Sequence, residues 1–305
     1  MIVTVTLNPA LDLTYRVDAL VPHGTHRVAA VAERPGGKGI NVAAALRALG
    51  EPVLATGLLG GATGGRVTDL LAGEGLPAAF VPIAGETRRT VVVADHDDAT
   101  GFWEPGPRVT AGEWAAFVAR FRELLGPASV VALSGSLPPG VPVDGYAVLI
   151  RLAAAAGVRT VLDSSGEALR HGLAAGPDLA KPNAAELGAL LEDVAGDGDL
   201  ADAGVALALG ARAVVVSRGP RGVLALTPDG AWRGVPPERI AGNPTGAGDA
   251  CVAALARGLR DKTPWPGLLA DAVALSAAAV AAPSAGAVDR DTYRRLLPAV
   301  RVSAA

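Results

Sequence analysis

From residue 112 onward, one rhythm constrains the fold more than any other feature of the chain. Short apolar runs alternate with segments of helical pattern, separated by turns rich in Gly, Pro, Ser or Asp. The pattern predicts helices over 113–125, 144–156, 167–174, 184–191 and 198–209, with strands over 129–133, 160–163, 179–181 and 213–217 between them. Strands joined by helices do not fold back as hairpins. They pair in parallel, with helices covering both faces of the sheet. The earlier part of the chain adds strands at 2–7 and 53–58 and helices at 41–49 and 66–73, and the later part a hairpin at 222–226 and 231–234. Helices follow from residue 249, over 268–282 and over 291–300. Two stretches, 10–35 and 85–105, break the rhythm with imperfect alternation at 13–17, 25–32, 87–94 and 101–104. They are expected to form a small β-rich lid on a single domain spanning 1–305.

Composition narrows the function classes. Half of the residues are hydrophobic but only 4% are aromatic, so the core must be built from Ala, Val and Leu. The net charge of −3 and the lack of a basic run point away from nucleic acid. The single cysteine, Cys251, excludes an internal disulfide and reads as core packing. The N-terminus lacks a basic leader, and the Ala-rich stretch 268–282 is interrupted by Asp271 and ended by Pro283, so a cytoplasmic protein with no membrane span is expected. The glycines of Gly57-x-x-Gly60-Gly61-x-x-Gly64 lack the order of a dinucleotide loop and read as packing. The acidic turn Asp95-His96-Asp97-Asp98 reads as a solvated hairpin tip.

Chemistry concentrates where Asn243-Pro244-Thr245-Gly246-Ala247-Gly248-Asp249 runs into an apolar helix. Amides at a helix start lack partners within the helix, and with the helix dipole they favour an anion such as a phosphoryl group. Asp249 at that point is either a capping residue or a carboxylate that takes the proton of an attacking hydroxyl. Other polar or glycine-rich turns follow predicted strands: Asp12, the segment 36–41, Ser134-Gly135-Ser136, Asp163-Ser164-Ser165, Lys181-Pro182-Asn183 and Ser217-Arg218-Gly219. All would converge on one edge of the sheet, where ligands bind in open α/β folds.

Taken in order, these segments resemble the ribokinase-like (PfkB) sugar kinases, and within them the phosphofructokinase and tagatose-6-phosphate kinase branch. The resemblance rests on Thr6-Leu7-Asn8-Pro9-Ala10-Leu11-Asp12, Pro35-Gly36-Gly37-Lys38-Gly39-Ile40-Asn41, Ser134-Gly135-Ser136-Leu137-Pro138, Lys181-Pro182-Asn183-x-x-Glu186 and the glycine turn before Asp249. It implies a three-layer α/β sandwich with a mostly parallel central sheet and a β lid.

It also implies a set of roles. Asp249 would be the general base, with Gly246, Ala247 and Gly248 donating backbone N–H groups to the transferred phosphoryl. Asn183 and Glu186 would position Mg²⁺, mostly through water, and Lys181 would approach the phosphates of ATP. Ser217, Gly219 and Gly222 would border the nucleotide. Asp12 and Asn41 would bind sugar hydroxyls, with Gly36 and Gly37 allowing close approach. Arg27, Lys38 and Arg88, with Ser136, would hold a phosphate already on the sugar, though Arg89 beside Arg88 leaves open which of the two points inward. Glu186 could equally be a capping acid after Asn183. The expected reaction is ATP-dependent phosphorylation of a ketohexose phosphate to a 1,6-bisphosphate by a lid-to-lid homodimer. A free-sugar or nucleoside kinase of the same fold, or a binding protein without catalysis, is the alternative.

Overall fold

The structure, a computed structural model of the chain, describes residues 1–96, 98–190 and 199–305. Asp97 of the acidic turn and the ends of the two helices expected over 184–191 and 198–209 lie outside the described residues. In chain order the first half contains β1 (Ile2–Thr6), β2 (Ala10–Arg16), β3 (Ala30–Gly36), α1 (Lys38–Ala48), β4 (Val53–Gly60), α2 (Gly61–Gly73), β5 (Val81–Ile83), β6 (Arg88–Ala94), β7 (Ala99–Trp103) and α3 (Ala111–Leu125). It continues with β8 (Val130–Ser134), α4 (Gly145–Ala155), β9 (Arg159–Asp163), α5 (Gly166–Ala174), β10 (Leu179–Ala180), α6 (Ala184–Leu190) and α7 (Asp199–Ala208). The last part holds β11 (Val214–Ser217), β12 (Val223–Thr227), β13 (Gly230–Val235), α8 (Ala247–Asp261), α9 (Trp265–Ala281), α10 (Arg290–Leu296) and β14 (Arg301–Ala304).

The main sheet has the order β14-β13-β12-β11-β10-β9-β8-β1-β4-β5. It is parallel from β5 to β11, and β12, β13 and β14 extend it antiparallel. Side chains along a strand alternate between faces, and the core divides accordingly. Ile2, Val130 and Val161 pack with Ile40, Leu46, Leu255 and Leu269 on one face. Val3, Val5, Val131 and Leu133 pack with Phe117, Tyr146 and Ile150 on the other. The chain leaves β1 toward β4 on one side and later returns to β8 on the other, so the order reverses between β1 and β8. Such a switch point leaves a crevice beyond the strand ends.

The two stretches that break the rhythm form a second, four-stranded sheet, β3-β2-β6-β7. Three expectations need correction here. Asp12 is not in a loop after β1 but within β2, opposite Arg34 in β3 and Thr90 in β6. The strand expected over 25–32 is displaced to Ala30–Gly36 and runs through Pro35. That is tolerated because β3 is an edge strand, where a missing N–H breaks no ladder. The last helix ends at Leu296, where Pro298 tightens the chain into a 3-10 turn before β14. Among the described residues no helix is long and apolar enough to cross a membrane.

Candidate active site

The crevice beyond β1 and β8 holds a cavity of about 230 Å³ lined by Thr6, Asn8, Gly37, Lys38, Arg88, Ser134, Gly135, Ser136, Ser164, Ser165 and Glu186. Strand register explains its polar wall. Leu162 of β9 pairs with Ala180 of β10, so the next residues, Asp163 and Lys181, meet at adjoining strand ends. Lys181 Nζ lies 3.2 Å from Asp163 Oδ1, and Lys38 Nζ, reaching from the start of α1, lies 3.4 Å from the same oxygen and 3.4 Å from Glu186 Oε1. Lys181 is 3% exposed and Asp163 1%, so this pair lies beneath the cavity. Burial pulls the Lys181 pKa down most strongly of any single influence, but Asp163, Cys251 and Glu186 together outweigh it, Asp163 foremost, and hold the ammonium above its ordinary range.

Asp249 is not a capping residue. The N-cap of α8 is Gly246, whose left-handed φ of 89° brings it against Ala285, where a Cβ would come within 2.9 Å of the Ala285 Cα. Asp249 lies in the first turn, only 6% exposed, and its Oδ2 accepts from Asn41 Nδ2 at 2.8 Å. It is not among the residues that line the cavity. Burial, reinforced by the negative charge of Asp163, pushes its carboxyl up to about 7, against the opposing pull of Asn41, Lys38 and Lys181. A carboxylate poised there is matched to accepting a proton near neutral pH. The amide of Ala247 is engaged by Pro244 O at 3.2 Å, which leaves those of Gly248 and Asp249 as the other first-turn donors. A methyl group on Gly248 would come 3.7 Å from Lys181 Nζ, so the buried ammonium lies under this turn.

Arg88 and Arg89 separate as neighbours on a strand must. Arg88 lines the cavity, donating from Nε to Asn8 O at 3.2 Å, whereas exposed Arg89 pairs with Glu104 at 3.0 Å. Ser136 Oγ accepts from Asn8 Nδ2 at 3.1 Å. Gly36 is required by Asp12: a Cβ there would come 2.3 Å from the Asp12 Cγ. Glu186 adopts the capping geometry with Asn183. Its Oε2 accepts from Asn183 N at 2.9 Å while its own N–H donates to Asn183 Oδ1 at 2.8 Å, and Oε1 remains turned to Lys38. Ser217 bridges to Asn183, placing the turn that carries Gly219 and Gly222 at the edge of the site. Arg27 is not drawn in; it is exposed between β2 and β3.

Sequence reasoning missed Asn8 as a cavity residue and gave Asp163 no role. The signal for Asp163 was its place at the end of an apolar strand with Lys181 ending the next. Buried side-chain oxygens without a hydrogen-bond partner in the structure include Thr6 Oγ1, Asn8 Oδ1, Asn41 Oδ1, Ser134 Oγ and Asp163 Oδ2, all around this site. Native interiors rarely leave such groups unmatched except where a ligand or water meets them.

The family profile of the pfkB family carbohydrate kinases matches residues 5–292. The chain is similar to phosphofructokinase-2 from Escherichia coli, solved in complex with potassium, at 33% identity over 98% of both chains with a TM-score of 0.92. It is similar to a possible 1-phosphofructokinase from Thermotoga maritima at 28% identity, over 100% of this chain and 99% of the other, with a TM-score of 0.87. Ribokinase from Arabidopsis thaliana, solved with ribose and ATP, shares the fold at 21% identity, over 97% of this chain and 98% of the other, and a TM-score of 0.76. On these grounds the chain belongs to the pfkB family of carbohydrate kinases, phosphotransferases that act on a sugar hydroxyl.

Proposed function

We propose that the protein transfers the γ-phosphoryl group of ATP to a free hydroxyl of a ketohexose phosphate, giving a 1,6-bisphosphate. The observation that carries this reading is the buried Asp249 carboxyl, tuned to about 7, at the glycine-lined start of α8 and beside a cavity walled by Lys38 and Arg88. Asp249 takes the proton of the attacking hydroxyl while Asn41 holds its other oxygen in place. The first-turn amides of α8, with the Lys181 ammonium beneath them, stabilise charge on the transferred phosphoryl. Asp12 orients the sugar by accepting from its hydroxyls. Lys38, Arg88 and Ser136 hold the phosphate that the sugar already carries.

Mg²⁺ fits the residues present. Among the described residues no group of three or more His, Cys, Asp or Glu could hold a metal outright. Glu186 alone, with Oε1 turned to the site and Asn183 fixing its other oxygen, suits an ion bound mainly by phosphate and water. When bound, Mg²⁺ neutralises nucleotide phosphate charge. The second sheet, through β2 and β6, serves as a lid that excludes water from the phosphoryl group. On one of its faces the ladder aligns Val31 and Phe102, exposed by 57% and 58%, while Trp103, exposed by 69%, points to the other. An apolar patch of this kind is suited to a second copy of the chain. Phe102→Glu is expected to convert a dimer to monomers in sedimentation velocity; an unchanged dimer would place the interface elsewhere.

A coupled ADP-release assay across fructose 1-phosphate, fructose 6-phosphate, tagatose 6-phosphate and fructose tests the substrate class. Fructose should be turned over far less well than at least one phosphate. Equal turnover of the free sugar would instead favour the free-sugar alternative. Arg88→Ala should raise KM for the preferred sugar phosphate by about 10- to 100-fold, the worth of a lost charged hydrogen bond. Arg89→Ala, outside the cavity, should change it by less than about twofold.

A further inference from the structure

We propose that Arg34 is a positioning residue that ties the sugar-binding carboxylate of Asp12 to the glycine turn at the head of α8, an inference that rests on the kinase reading above. Arg34 lies in β3 directly across the ladder from Asp12. Burial drives the Asp12 carboxyl upward; Arg34 leads the groups that oppose it, with Thr90 and Arg88 of β6 behind it. The same guanidinium donates from Nη2 to the carbonyl oxygen of Ala285, in the loop after α9. That loop is wedged between two parts of the candidate site. Ala285 abuts Gly246, where no Cβ could be accommodated without displacing it. The next residue, Gly286, packs on α1: a Cβ there would lie 3.1 Å from Ala44 Cβ and 3.3 Å from Asn41 Oδ1. Asn41 in turn holds Asp249. Arg34 therefore links the carboxylate that orients the sugar, through its charge across the ladder, to the turn against which both the N-cap of α8 and the partner of the general base are packed, through its hydrogen bond.

The hydrogen bond separates Arg from Lys. A lysine at this position keeps a positive charge near Asp12 but lacks the guanidinium Nη2 that meets the Ala285 carbonyl. Arg34→Met should raise the sugar-phosphate KM and lower kcat, each by about tenfold, whereas Arg34→Lys should bring KM to within about threefold of wild type and leave kcat low. A second readout needs no substrate. Amide hydrogen exchange in a peptide covering 243–250 should be about tenfold faster in both variants of the free protein. Unchanged exchange in both variants, or a lysine variant with wild-type kcat, would overturn the coupling. If the methionine variant fails to fold, the lysine variant carries both readouts. If the wild-type protein releases no ADP with any sugar phosphate, the kinase reading fails, and the exchange measurement still decides whether Arg34 braces the α8 turn.

Discussion

Asp249→Asn should lower kcat by about a hundred- to ten-thousandfold, while affinity for ATP measured by calorimetry stays within about threefold of wild type. The substitution removes the proton acceptor but keeps an oxygen able to accept from Asn41 Nδ2. The pH dependence provides a second check. The Asp249 carboxyl titrates near 7 and must be ionised to act, so kcat/KM should fall about tenfold per pH unit below that value. The residual activity of the asparagine variant should lack this limb. Stability should move the opposite way to activity. Because the folded-state pKa lies above the ordinary aspartate value of 3.8, the folded protein retains a proton that the unfolded chain has already lost. The contribution is therefore most favourable below about pH 4, declines as pH rises, and is fully unfavourable above about pH 7. Removing the charge should stabilise the protein above pH 8 by about 1–3 kcal/mol after allowing for the buried amide group, raising Tm by a few degrees. Below pH 4 the two proteins should unfold together. A variant that kept wild-type kcat would remove Asp249 from the mechanism.

The sequence made the parallel sheet legible because its central strands are buried on both faces and read as unbroken apolar runs. Residues 129–133 and 213–217 lie within one position of β8 and β11. Edge strands carry no such signal. The three-residue β5 contains Pro82, and β14, Arg-Val-Ser-Ala, is largely exposed; both exist only because a neighbour offers its ladder. β3 was displaced for a related reason, since Arg34-Pro35-Gly36 has the composition of a loop and becomes a strand through pairing with β2.

At the candidate site, turn composition at strand ends marked the segments that meet there, because a crevice of the proposed kind, one that takes phosphate groups, requires glycine and small polar residues. Burial was not legible. Nothing local says that Lys181 or Asp249 is enclosed, because both follow from α8 packing across strand ends distant in sequence. Asp163-Ser164-Ser165 reads as a polar turn after a strand; Ser165 is the N-cap of α5, while Asp163 terminates β9 and faces two lysines.

That position makes Asp163→Asn the variant with the largest expected cost to stability. It leaves the Lys181 ammonium, 3% exposed, with no carboxylate at its closest contact. Stripping one partner from a buried ion pair costs about 3–5 kcal/mol, whereas replacing both with groups of similar volume is often close to neutral. Asp163→Asn should therefore lower the urea midpoint sharply at pH 7, and Asp163→Asn with Lys181→Met should recover most of the loss. The sign of the pH dependence follows from Lys181. Its folded pKa is raised, so the pair contributes fully below about pH 10 and the contribution is lost only as pH rises through that higher value. In the single Asp163 variant burial acts unopposed by this carboxylate, and the deficit should shrink as the solution is made alkaline and Lys181 gives up its proton. The same two charges act on the proposed general base in opposite directions, Asp163 raising the Asp249 carboxyl and Lys181 lowering it. The acid limb of kcat/KM should accordingly move below pH 7 in Asp163→Asn and above it in Lys181→Met. Parallel shifts in the two variants would show that the limb belongs to another group, and a double variant as unstable as the single would show that Asp163 does more than pair with Lys181.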